Sequence, residues 1–182
     1  MKFAETAIQG VFAVDPVPHS DDRGSFARLW DAEEFAALGL NPRLAQVSVS
    51  SNRVAGTIRG MHWQADPHAE AKLVRVTRGA IWDVAVDLRE SSPKYCRWVS
   101  LELSAENRRM LYIPEGCAHG FQTLADDTEV TYHISRAYEP TAGRGAKHDD
   151  PAFGIVWPRA VASISERDLN WPKIHDRSDG DE

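Results

Sequence analysis

Two short stretches hold most of the side chains that could do chemistry. One is Gly56-Thr57-Ile58-Arg59-Gly60-Met61-His62-Trp63-Gln64, the other Pro114-Glu115-Gly116-Cys117-Ala118-His119-Gly120-Phe121. Each brings one imidazole, which near neutral pH can take or give a proton and, when neutral, can ligate a metal. A metal would need further donors. Gln64 stands where a second imidazole would complete a His-x-His pair, and Glu70 follows at a loose spacing. Two imidazoles and an amide make a poor divalent-ion site, so a metal site on His62, His119 and Glu70 is the lesser alternative to proton transfer. Lys72 is a second anomaly. It shares strand parity with Val74 and Val76, and a cation turned inward among valines needs a partner or a ligand. Tyr132, between Val130 and Ile134, is inward by the same parity. That fits either a core tyrosine with a tethered hydroxyl or an acid on the floor of a cavity. Asp168, after Ser165-Glu166-Arg167, reads by itself as an ordinary turn or surface acid.

These residues need rigid elements to hold them. One segment reads as helix, Asp31 to Leu38, with Asp31 as cap, Glu34 as the return half of a capping box and Gly39 as stop. Most of the rest reads as short strands. Residues 81–88 and 128–135 alternate, and Lys72–Thr77, Arg97–Leu103, Arg109–Ile113 and Gly120–Leu124 are similar. Turn signals separate them at Arg78-Gly79, Ser91-Ser92-Pro93, Pro114-Glu115-Gly116 and Asp126-Asp127. Many short strands at regular spacing predict an all-β barrel or jelly-roll sandwich. Strict alternation sets Arg59 and His62 on opposite faces of one strand; both can serve one ligand only if Gly60 permits a bulge. Asp83 and Asp87 share a strand face, and the expectation is one carboxylate paired to an arginine and the other solvated, with Asp83 a possible support for His62 or Lys72.

The chain has 182 residues, 42% hydrophobic and 26% charged, which predicts one globular domain over 1–182 with a polar tail from about Asp176. A net charge of −6 gives no basic excess for nucleic acid, so an anionic ligand would need a local cluster of cations. No run approaches a membrane span. Cys96 and Cys117 show no zinc spacing and no disulfide framework, and the N-terminus has no long apolar stretch, so the expected compartment is the reduced cytoplasm.

The Gly-x5-His and Pro-x-Gly-x-x-His pair resembles the motifs of cupin jelly rolls. Read with Arg23-Gly24-Ser25-Phe26, Lys72-Leu73-Val74-Arg75, Asp83-Val84-Ala85-Val86-Asp87-Leu88-Arg89, Glu129-Val130-Thr131-Tyr132 and Ser165-Glu166-Arg167-Asp168, it is similar to the dTDP-4-dehydrorhamnose 3,5-epimerase family over nearly the whole chain. The resemblance implies a cupin-type jelly roll with short peripheral helices, acting on a nucleotide-linked 4-keto-6-deoxyhexose with no metal or redox cofactor. The ketone acidifies the protons on its flanking carbons, so inversion needs a base on one face, an acid on the other and cationic groups at the enolate oxygen. By motif position His62 would be the base, Asp168 its orienting carboxylate, Tyr132 the acid on the opposite face and Lys72, with His119, the group facing the enolate. Arg59 and Arg23 would hold the diphosphate, Phe26 would stack on the base, and Gln46 and Tyr138 would line the ligand. The segment around Arg23 and Phe26 would reach over a neighbouring subunit, implying a homodimer.

The chain departs from the family pattern at Arg28, where an acid is usual, and at Gln46-Val47-Ser48-Val49-Ser50, where Ser48 replaces an amide beside the sugar. Those changes leave the acid, base and orienter in place and keep open a 3-epimerase, or an epimerase of another nucleotide sugar. A catalytically silent sugar-nucleotide binding cupin is the alternative of another class.

Overall fold

The structure, a computed structural model, describes residues 1–174. The polar tail from Asp176 lies outside the described residues. In chain order the elements are β1 (Lys2–Glu5), β2 (Phe12–Asp15), β3 (His19–Asp21), β4 (Gly24–Phe26), α1 (Ala32–Ala37), β5 (Gln46–Asn52), β6 (Ile58–Gln64) and β7 (Lys72–Arg78). They continue as β8 (Ala80–Asp87), β9 (Trp98–Ser104), β10 (Met110–Ile113), β11 (Cys117–Thr123), β12 (Thr128–Ile134), β13 (Gly143–Gly145) and α2 (Glu166–Leu169). One antiparallel sheet has the order β1-β2-β10-β7-β12-β5 and the other β13-β6-β11-β8-β9, with β3 and β4 forming a separate hairpin. The two main sheets face each other as a jelly-roll sandwich, as the strand spacing predicts.

Alternation decides what each sheet buries. Val74 and Val76 of β7 and Val130 of β12 meet Ile81 and Ala85 of β8 and Phe121 of β11 between the sheets. The opposite parity of the six-stranded sheet, Val14, Leu73, Met110 and Tyr112, packs under Phe35 of α1. That of the five-stranded sheet, Met61, Val84, Val86 and Ala118, packs under Phe153. Both faces of β8 are therefore buried. Asp31 caps α1 by accepting from the Glu33 and Glu34 amides. The return half of the expected capping box is absent: Glu34 instead pairs with the Met1 ammonium at 2.8 Å.

One finding corrects the strand pattern and another goes beyond it. β11 begins three residues earlier than expected, at Cys117, so His119 is a strand residue. β5 carries apolar residues outward and polar ones inward: Val47 and Val49 are 58% and 62% exposed, while Ser48 and Ser50 line a cavity. A strand with its polar face toward the interior marks the place where the sandwich is hollow.

Candidate active site

The hollow end is a cavity of about 510 Å³ between the sheets, within the range of small-molecule sites. From the six-stranded sheet it receives Gln46, Ser48, Ser50, Lys72 and Tyr132; from the five-stranded sheet, Arg59, His62 and His119. Tyr138, Ser165, Arg167 and Asp168 complete the wall. His62 and Tyr132 thus face one cavity from opposite sheets.

Arg59 and His62 reach the same side because β6 carries one extra residue. His62 pairs with His119 and Arg59 with Phe121, three residues on β6 against two on β11. Gly60 absorbs the irregularity at φ +120°, and a Cβ there would lie 2.5 Å from the Gly120 Cα, so only glycine fits.

His62 Nε2 lies 2.7 Å from Asp168 Oδ1, joining residues 106 apart in sequence. Ser165 caps the four-residue α2 and accepts from the Asp168 amide at 3.1 Å, which turns that carboxylate inward. The Gly60 N–H donates to Asp168 Oδ2 at 3.3 Å and the Trp171 indole to Oδ1 at 3.4 Å. Burial opposes ionisation of Asp168, but the hydrogen bond and charge of His62, with the Gly60 and Trp171 donors, hold its carboxyl below the ordinary range. Trp171 packs over Gly145 so closely that no side chain fits at that position.

Lys72 resolves its anomaly through two partners. Its Nζ lies 3.0 Å from Glu70 Oε1 and donates to the His62 carbonyl at 3.3 Å, in side-chain surroundings only 11% and 9% exposed for lysine and glutamate. Burial, then the nearby Asp83 charge, raises the Tyr132 phenol well above its ordinary value, against the opposing effects of Arg59 and Ser50. Tyr132 is therefore a protonated donor at neutral pH. Its ring stands edge-on to His119 at 5.9 Å.

Asp83 is neither solvated nor bound to His62 or Lys72. It is fully buried and lies 2.6 Å from His119 Nε2. Asp87 does pair with an arginine, Arg89, at 2.8 Å. Gln46 accepts from the Tyr138 amide at 2.6 Å, and Arg59 donates to Asn52 Oδ1 at 2.7 Å. Gln64, the position that a metal-binding cupin would fill with histidine, uses its amide on the Ala137–Glu139 backbone. His62, His119 and Glu70 are each committed to Asp168, Asp83 and Lys72.

Arg23 and Phe26 are not brought to this cavity. They sit on the β3–β4 hairpin, which pairs with neither main sheet; Arg23 folds back onto Asp21 at 2.6 Å and Phe26 is 75% exposed. The sequence reading missed Arg167 and Trp171. Arg167 reaches the cavity wall and stacks on Trp171, 5.0 Å from the ring centroid. The Ser-Glu-Arg-Asp motif contained the first, but no local pattern marks the second.

A jelly roll whose hollow end holds a His–Asp pair, an anchored lysine and a protonated tyrosine is an acid–base enzyme of cupin type. The profile of the dTDP-4-dehydrorhamnose 3,5-epimerase family matches residues 5–176, and the chain belongs to that family. It is 42% identical over 175 residues to the dTDP-4-dehydrorhamnose 3,5-epimerase of Sinorhizobium fredii, covering 96% of this chain and 90% of the relative. A dTDP-4-dehydrorhamnose 3-epimerase of Streptomyces niveus is 37% identical over 169 residues, 92% of this chain and 81% of the relative. The crystal structure of the 3,5-epimerase from Elizabethkingia anophelis superposes with a TM-score of 0.94 at 36% identity, covering 97% of this chain and 98% of that one. That of the Bacillus anthracis enzyme, with TDP and PPi bound, does so with a TM-score of 0.91 at 38% identity, covering 95% and 99%.

Proposed function

We propose that the protein converts dTDP-4-dehydro-6-deoxyglucose to dTDP-4-dehydrorhamnose by inverting C3 and C5. The observation that carries this reading is the His62–Asp168 pair and Tyr132 on opposite walls of one cavity. An ionised Asp168 accepts the Nε2 proton of His62, which leaves Nδ1 as the basic nitrogen. His62 removes a proton beside the ketone and Asp168 stabilises the imidazolium formed. The enolate oxygen meets the Lys72 ammonium, which Glu70 and the His62 carbonyl hold in place, with His119 beside it. Tyr132 returns a proton from the other face.

Arg59 and Arg167 at the cavity wall are suited to the diphosphate, and Tyr138 to the nucleoside. Exposed Phe26 and the outward valines of β5 support a homodimer in which the β3–β4 hairpin carries Arg23 and Phe26 to the partner's cavity. A reduced cytoplasm suits two buried free thiols, Cys96 and Cys117. Among the described residues no helix is long and apolar enough to cross a membrane.

The test is turnover of dTDP-4-dehydro-6-deoxyglucose in deuterated water, followed by NMR. Label is expected at both C3 and C5. Label at C3 alone would establish the second reading, a 3-epimerase, which the Streptomyces niveus relative and the Ser48 replacement favour. Binding of dTDP without any label would leave a silent binding cupin.

A further inference from the structure

Two glutamines, one from each main sheet, hold consecutive amides of a single segment. Gln46 of β5 accepts from the Tyr138 N–H through Oε1 at 2.6 Å. Gln64 of β6 accepts from the Glu139 N–H through Oε1, also at 2.6 Å. Through Nε2, Gln64 donates to the His68 carbonyl at 3.0 Å and the Ala137 carbonyl at 3.3 Å. Both ends of the Gln64 amide are thus committed, and its residue is only 4% exposed. The same segment returns to β6 through its backbone: Ala65 N–H donates to the Ala142 carbonyl at 2.9 Å, and Gly143 pairs with Gln64. Tyr138 stands on this loop at the cavity wall, 55% exposed. Gln46 also lines the cavity, and its Nε2 has no protein partner among the described residues.

A loop at a cavity wall needs partners for its peptide groups, and here side-chain amides supply them. The position of Gln64 gives this more than structural meaning. It lies two residues from His62 on the same strand, so the clamp fixes the Tyr138 wall relative to the proposed base. We propose that Gln64 is a positioning residue that acts through the Ala137–Glu139 backbone to set Tyr138 against the bound nucleotide sugar. Gln46, by contrast, clamps with its oxygen and presents its free NH2 to the ligand. The kinetic part of this proposal rests on the epimerase reading; the structural part does not.

The test uses the full chain and Gln64→Leu, which removes all three hydrogen bonds at similar volume. In ligand-free protein, amide hydrogen exchange across residues 137–143 is expected to quicken about tenfold or more, as hydrogen bonds of ordinary strength are lost. With dTDP-4-dehydro-6-deoxyglucose the loss is expected mainly in KM, by about tenfold, with a smaller change in kcat. In a Tyr138→Ala background, adding Gln64→Leu is expected to raise KM little further. Unchanged amide exchange, a loss confined to kcat, or full additivity with Tyr138→Ala would each overturn the proposal. Should Gln64→Leu not fold, Gln64→Met removes the same three hydrogen bonds with an unbranched side chain of similar length, and unchanged exchange in that variant overturns the clamp equally. A wild type that labels no substrate while the exchange contrast holds refutes the epimerase reading and supports the clamp.

Discussion

Two His–Asp pairs lie side by side in this protein, and they are built to opposite ends. His62 and His119 face each other across β6 and β11, and each has its Nε2 within 2.7 Å of an aspartate oxygen. His62 is 40% exposed and opens on the cavity; His119 is 6% exposed. Asp168 receives two further donors, from Gly60 and Trp171. Among the described residues Asp83 receives no other, and its buried Oδ2 has no partner there. The result is a carboxyl held low at Asp168 and one pushed up by burial at Asp83, against the pull of His119 and Lys72. A histidine beside an aspartate is therefore not itself a catalytic signature. Solvent and the count of donors on the carboxylate decide whether the pair can stabilise a new positive charge.

The largest test of this contrast is Asp168→Asn. With the imidazolium unsupported, substrate deuterium exchange is expected to fall by about 10³ to 10⁴, as in other orienting carboxylates, with dTDP affinity nearly unchanged by calorimetry. A loss below tenfold would break the assignment. Tyr132→Phe comes next: exchange should continue while net inversion drops by about 10², read from the ratio of labelled substrate to product. Arg59→Ala belongs to neither pair and should raise KM by about tenfold or more through the lost phosphate contact, with kcat little changed.

Asp83→Asn should have the smallest effect on turnover, about tenfold or less, since Asp83 does not line the cavity and its one hydrogen bond among the described residues is to His119. The two asparagine variants are sharpest when compared by urea unfolding across pH. The folded pKa of Asp168 is depressed, so its contribution is present above the ordinary carboxyl value near 3.9 and is lost as pH falls through the folded value. The folded pKa of Asp83 is raised, so its contribution is full below that ordinary value and is lost as pH rises through the folded one. The stability difference between wild type and variant should thus grow with pH for Asp168→Asn and shrink with pH for Asp83→Asn. Curves of the same sign would erase the distinction between the pairs.

Much of the interior was legible because alternation is local. The parity of Lys72 with Val74 and Val76 announced a cation inside the sandwich, and the structure supplies its partners in Glu70 and the His62 carbonyl. The need for a bulge at Gly60 followed from the three-residue step between Arg59 and His62. The expectation that one of Asp83 and Asp87 is solvated fails, both being fully buried, since a strand pattern gives the face but not what covers it. Trp171 was invisible, because its role depends on a bare Gly145 to pack against.

The order of residues by itself determined the strands from β7 to β12, which of their residues share a face and, through motif resemblance, the family. Periodicity and side-chain type act over a few residues, and they are written directly in the chain. Only the folded arrangement decided that Asp83 belongs to His119, that Trp171 backs Asp168 and that Gln64 grips a loop. Those outcomes depend on contacts between residues distant in sequence and on how much water reaches each carboxylate, which no local pattern encodes.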